Sequence, residues 1–262
     1  MINTIQGIVD AAKGGASGVI AVAAAHDEPV IEAVVAARRE GIATPILVGH
    51  ADEIRRMLRE QHEDPDAYQI VPADSDTDCA AQAVSLCAQG KANFLMKGIL
   101  GTADLMRAVF NKEQGLRTSH LTTHCMFYEI PALGKMLILT DGGVNTFPDL
   151  EKKAEILENA AAVLQALGYT SINAACICGA EQVNPKVQST VDADALSKMT
   201  DRWAKYNMQV CGPVALDLAV SKEACKHKHF TAPGAGDADS LLVPNYEVGN
   251  GIACAGGCKV LM

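Results

Sequence analysis

Apolar runs of strand length alternate with amphipathic stretches of helix length through the first 110 residues. SGVIAVAAA (17–25) is continuously apolar, as expected of a strand covered on both faces. A helical stretch over 4–13 precedes it and stops at Gly14 and Gly15. HDEPVIEAVVAARREG follows, with acids at its start, arginines at its end and Gly41 as the stop, in agreement with the helix dipole. PILVG, ADEIRRMLREQ, YQIV and TDCAAQAVSLCAQG continue as strand, helix, strand and helix. This alternation predicts a doubly wound, mostly parallel sheet.

In NFLMKGILGTADLMRAVF a strand ends at Lys97 and Gly98, and a helix begins near Thr102 with Asp104 in its first turn. A lysine and a hydroxyl beside free N–H groups suit an anion; a capped helix with a solvated lysine is the plainer reading. GLRTSHLTTHCMFYEIPALGKMLILTD holds two strand-like runs joined by PALGK, the pattern of an antiparallel hairpin. Arg117 stands at its entrance, where its guanidinium is either a surface charge or a fork for phosphate. His120 and His124 have same-face strand spacing but no partner motif for a metal, and are read as structural.

DGGVNTFPDLEKKAEILENAAAVLQALG predicts a loop with Asp141 and Asn145, a helix start at Thr146 to Pro148, and one buried face of Leu150, Ala154, Leu157, Ala161 and Leu164. SINAACIC then reads as a strand, EQVNPK as a loop, 192–205 as a helix, MQVCG as a strand, and the stretch around Asp217 as a helix. In GAGDADSLLVPNYEVGN the carboxylates Asp237 and Asp239 lead into a buried strand that stops at Pro244, after which Asn245, Gly249 and Asn250 are expected in a loop. The domain boundary is placed in the hairpin, with domains 1–138 and 139–262.

Composition sharpens the class. A hydrophobic share of 49% with only 4% aromatics fits small residues that let helices lie close on a sheet. The net charge of -9 argues against nucleic acid or a membrane surface as the main partner, while leaving anionic small molecules open. The 9 cysteines lie in apolar segments; Cys176 with Cys178, and Cys254 with Cys258, lack a second pair at zinc spacing. Reduced thiols and a cytoplasmic location are expected. No apolar run approaches the ~18 residues of a membrane span, and no basic leader opens the sequence.

Dinucleotide, phosphate-loop, serine-elbow and zinc-helix motifs are all missing. Polar strand-end loops carrying Lys97, Thr102, Arg117, Asp141, Asn145, Glu181, Asn184, Asn245 and Asn250 remain as a candidate anion-binding set.

MKGILGTADLMRAV, GLRTSH, TDGGVNTFPDLEKKAEI, EQVNPKVQST, GPVALDLAVSKEA and GDADSLLVPNYEVGN, in this order, resemble the phosphate acetyl/butyryltransferase family, most closely its phosphate butyryltransferase branch. The resemblance spans His26 to Asn250. It implies a two-domain fold of the isocitrate/isopropylmalate dehydrogenase type with an interdomain cleft, and transfer of a butanoyl or other short acyl group between coenzyme A and phosphate. Coenzyme A is then a substrate, with no tightly bound cofactor and no metal. Homo-oligomerisation is expected. Arg117 is expected as the catalytic phosphate ligand, with Lys97, Thr102, Asn145, Asn245 and Asn250 binding substrate or phosphate.

Relatives continue past Gly-Asn to a Ser-Arg motif with a nearby acid, which GIACAGGCKVLM does not carry. A non-catalytic protein that binds coenzyme A, an acyl phosphate or a protein partner is therefore the alternative expectation. A metal-dependent dehydrogenase of the same fold is a third.

Overall fold

The fold was analysed in a computed structural model that describes residues 1–255 and 259–261. Chain contacts divide it into an N-terminal unit, Val9–Ser119, and a C-terminal unit, Met1–Ile8 with His120–Met262. The division falls inside helix α1 (Ile5–Lys13).

In the N-terminal unit, β1 (Gly18–Ala23), α2 (Glu28–Arg39), β2 (Ala43–Gly49), α3 (Ala51–Glu60), β3 (Gln69–Pro72), α4 (Asp76–Ala88), β4 (Phe94–Lys97) and α5 (Thr102–Val109) follow one another. The four strands are parallel, in the order β3-β2-β1-β4. Alternation along β1 feeds two cores. Ala21 and Ala23 pack with Cys79, Ala80 and Ala83 of α4, and Val22 packs with Ile31, Val34 and Val35 of α2 and Ile54 and Leu58 of α3. Helices therefore cover both faces, which explains the unbroken apolar run.

The C-terminal unit contains β5 (Met126–Ile130), β6 (Lys135–Thr140), α6 (Leu150–Ala166), β7 (Ile172–Ile177), α7 (Gln188–Ser197), α8 (Thr200–Ala204), β8 (Met208–Val214), α9 (Leu216–Val220), α10 (Lys222–His227), β9 (Ser240–Leu242), α11 (Tyr246–Ala255) and β10 (Lys259–Leu261). Its sheet runs β10-β5-β6-β9-β7-β8. The β5–β6 and β10–β5 pairs are antiparallel, and β9 lies parallel between β6 and β7. Leu242 joins the core under α6 and α7, while Leu241 and Val243 join the core under α9 and α10.

Several elements differ from the sequence-based expectation. The boundary at 138/139 cuts β6; the units divide at 119/120 because the hairpin hydrogen-bonds through β6 to β9 and so belongs wholly to the C-terminal sheet. The first hairpin strand begins only at Met126, and His120 and His124 precede it in irregular chain. Asp149, rather than Thr146, caps α6 by accepting from Lys152 N at 2.9 Å. The helix expected over 192–205 is two, α7 and α8, broken at Lys198 and Met199.

The expected loop around Asn245, Gly249 and Asn250 is helix α11. Asn245 Oδ1 accepts from Val248 N at 3.0 Å and satisfies an otherwise unpaired first-turn donor. Gly249 lets α11 approach the β6–α6 loop: a Cβ there would stand 2.6 Å from Gly142 Cα.

The paired carboxylates lie at the amino end of β9, away from its polar exit. Lys135 Nζ reaches Asp237 at 3.0 Å and Asp239 at 2.7 Å, and Asp239 also accepts from Asn173 N at 2.9 Å. Their role is to tie β6, β7 and β9 together. The cysteines Cys79, Cys87, Cys125, Cys176, Cys178, Cys211 and Cys225 are free, and Cys258 of the Cys254–Cys258 pair lies outside the described residues. Among the described residues, no helix is long and apolar enough to cross a membrane.

Candidate functional site

In parallel α/β sheets the loops at the carboxyl ends of the strands form the ligand-binding edge. Both units put sequence-predicted polar residues there, whereas Arg117 of the N-terminal unit follows the carboxyl end of α5.

In the N-terminal unit, Gly98 turns the chain out of β4 against the end of β1. Gly98 N donates to Ala23 O at 2.8 Å and Ile99 N to Ala24 O at 3.0 Å. A Cβ on Gly98 would stand 2.1 Å from Ala24 O, so only glycine fits this approach. Lys97 curls over the same loop and donates to Gly98 O at 3.2 Å and Leu100 O at 2.9 Å. Thr102 is the first residue of α5. The cap is Gly101, which makes no side-chain bond to the helix, so Thr102 does not serve as the expected capping hydroxyl.

Arg117 is exposed and, among the described residues, makes no hydrogen bond or ion pair. Leu116 N bonds to Val109 O at 2.8 Å, which fixes this segment at the carboxyl end of α5. At about 1.5 Å per residue, roughly 10 Å of helix separates that end from Thr102. Lys97 and Thr102 are thus brought together, and the Arg117 backbone is not placed beside them.

The same edge carries a feature that sequence reasoning missed. His26, after β1, and His50, after β2, stack with ring centroids 3.9 Å apart and planes 13° apart. Burial and the neighbouring imidazole push His26 below its ordinary pKa, whereas the 3.0 Å bond to Glu53 raises His50. No periodicity signals this contact, because it joins the ends of two strands paired in the sheet.

In the C-terminal unit, buried Asp141 organises the exit from β6. Its Oδ1 accepts from Gly143 N at 2.9 Å and Val144 N at 2.8 Å, and its Oδ2 from His124 N at 3.1 Å and Asn145 Nδ2 at 2.6 Å. Asn145 Nδ2 also donates to Thr122 O at 3.0 Å, so this amide braces the loop. The loops after β6 and β9 are joined by Val243 N to Thr140 O at 2.8 Å and Tyr246 N to Thr146 O at 3.0 Å. Asn145, Asn245 and the first turns of α11, with exposed Asn250, thereby gather at one edge. Asn184 Oδ1 turns inward to Lys186 N at 3.0 Å and shapes its own loop.

Beside Asn245 opens a groove of about 740 Å³, walled by Phe147, Leu150, Val187, Val191, Pro244 and Val248, with Ser189 and Gln188 among its polar groups. Its floor carries a buried ion pair, Lys153 Nζ to Asp192 Oδ2 at 2.6 Å, with Gln188 Nε2 donating to Asp192 Oδ1 at 2.8 Å. The signal in the sequence is a lysine on the apolar face of α6, next to Ala154 and three residues after Leu150.

The model of the phosphate acetyl/butaryl transferase family matches residues 3–82 and 76–253. The chain belongs to this family. Among relatives of this family member, the phosphate butyryltransferase of Clostridium acetobutylicum is 42% identical over 250 residues, covering 95% of the chain and 83% of that protein. The phosphate acetyltransferase of Thermotoga maritima is 38% identical over 248 residues, covering 94% and 83%. Among solved structures, a branched-chain phosphotransacylase from Enterococcus faecalis V583 superposes with a TM-score of 0.78 at 31% identity, covering 92% of the chain and 86% of that structure. The family member's mixed α/β fold with two parallel-dominated sheets agrees with that likeness.

Proposed function

We infer that this chain is an acyltransferase that moves a short acyl group, butanoyl foremost, between coenzyme A and inorganic phosphate. The observation that carries the reading is 42% identity across 95% of the chain to a phosphate butyryltransferase, within a family match reaching residue 253. The two parallel-dominated sheets support the finer reading of an isocitrate/isopropylmalate dehydrogenase-like architecture.

A phosphate oxygen attacks the thioester carbonyl, the C–S bond breaks, and the coenzyme A thiolate leaves and takes up a proton. No covalent enzyme intermediate is required. The protein has to hold two anions in line and offset charge on the developing oxyanion and the leaving sulfur. Arg117 is the group assigned to phosphate, because its guanidinium is exposed and uncommitted. The first-turn N–H groups of α5 at Thr102, with Lys97 nearby, form a separate donor set for an anionic substrate group. Asn145 acts by bracing the Asp141 loop. Asn245 offers its Nδ2, which is unbonded among the described residues, and Asn250 flanks it on α11.

Coenzyme A release from butanoyl-CoA, followed by a thiol reagent, should depend on added phosphate; release that ignores phosphate, or none, refutes the assignment. Arg117→Ala should raise KM for phosphate about tenfold, equal to ~1.4 kcal/mol, and leave KM for butanoyl-CoA near its wild-type value. An unchanged phosphate KM removes Arg117 from the site.

A further inference from the structure

We propose that the groove bounded by Phe147, Val187, Pro244 and Val248 receives the acyl-pantetheine arm of the thioester, and that Val187 and Val248 limit the acyl chain length. This deepens the proposed transferase function and rests on it. Three features support this occupant.

The first is position. The groove lies where the chain leaves β6, β7 and β9, the strands at the centre of the sheet, on the edge where parallel sheets bind ligands. Its volume of about 740 Å³ falls in the usual range for small-molecule sites.

The second is exposed apolar surface concentrated on the walls. Phe147 is 71% exposed, Val187 42% and Val248 38%. These three come from a loop, a helix start and a second helix, and their convergence on one concave surface is a product of the fold.

The third is charge. The floor pair, Lys153 with Asp192, is buried and mutually neutralised, and Asp149 at the rim is engaged in capping α6 and in a 3.5 Å pair with Lys152. Among the described residues no uncommitted cation faces the groove, which disfavours phosphate or a nucleotide diphosphate there. Asn245 Nδ2 makes no bond among the described residues. An arm of methylenes broken by two amides matches apolar walls with one spare amide donor, Asn245 Nδ2. Carboxylates and phosphates do not.

The test uses Val187→Phe and Val248→Phe, both at exposed positions where a larger ring does not enter the core. Turnover of acetyl-CoA and butanoyl-CoA is measured with phosphate, and binding of S-butanoylpantetheine, which lacks the nucleotide, is measured by calorimetry. Because one methylene in an apolar pocket is worth roughly 10- to 200-fold, the ratio of kcat/KM for butanoyl-CoA to acetyl-CoA should fall at least tenfold. S-butanoylpantetheine should bind the wild type and bind each variant at least fivefold more weakly. An unchanged ratio with unchanged binding overturns the proposal. So does a change in self-association by sedimentation with binding unaltered, which assigns this face to a second copy of the chain. If the wild type releases no coenzyme A with either thioester, the transferase reading fails, and groove binding still decides the occupant through the calorimetric arm.

Discussion

Lys153→Met isolates the energetic weight of the buried pair beneath the groove. Methionine keeps the apolar stem of lysine, so the change removes the charge and leaves the packing of α6 against β7 nearly intact. Both side chains of the pair are 7% exposed, and the 2.6 Å contact is the only ion pair that Asp192 makes among the described residues. After the substitution Asp192 keeps one donor, Gln188 at 2.8 Å, and no counter-charge. Breaking one side of such a pair costs about 3–5 kcal/mol. At ~2–4 °C per kcal/mol for a unit of this size, the expected drop in Tm is about 10 °C.

Urea unfolding can be followed by the fluorescence of Trp203, the sole tryptophan, which is 1% exposed in the core containing Ala154 and Ala193. Asp192→Leu alone should cost a similar amount by leaving the ammonium buried. The double variant should recover to within about 1 kcal/mol of wild type, because a buried pair contributes little beyond an apolar replacement. A loss below ~1 kcal/mol for Lys153→Met, or a double variant as unstable as the summed singles, refutes this account. The double variant keeps the groove floor neutral, so its butanoyl-CoA KM should stay near wild type.

Gly249→Ala places a methyl 2.6 Å from Gly142 Cα and 2.8 Å from Val243 Cγ2, and should cost about 1–3 kcal/mol by thermal unfolding. Gly251→Ala in the same helix meets nothing within 4 Å and should stabilise by roughly 0.5–1 kcal/mol. Glu158 is held below the ordinary glutamate range, first by its bond to Arg202 and also by Lys205. Its folded pKa is depressed, so its contribution is present above the unfolded pKa and is lost as pH falls through the folded one. The urea midpoint of Glu158→Gln should therefore lie below wild type at pH 7, and the gap should close towards pH 3; a gap constant across that range contradicts the linkage.

Residue pattern and element identity correspond closely in the first half. Continuous apolar runs became two-faced strands, and acids before arginines marked helix direction. The loop expected around Asn250 is α11: Asn245, expected as a loop residue, caps it by accepting from Val248 N, and Glu247 is an acid in its first turn. The hairpin was legible from PALGK, yet its membership was not, since that depends on the β6–β9 pairing across about 100 residues. Asp141 was visible as a loop acid. Its four N–H donors come from His124, Gly143, Val144 and Asn145, and only the fold brings His124 to it.

The sequence by itself determined the α/β class, most helix and strand positions, and family membership, because local periodicity and ordered motifs are properties of the chain. Only the tertiary structure decided which polar residues remain available to a ligand. Asn145 is held by Thr122 of a neighbouring loop, Asp141 accepts from His124, and Lys153 meets Asp192 beneath a groove. These outcomes depend on contacts between residues distant in sequence, where burial and hydrogen-bond demand choose the partners.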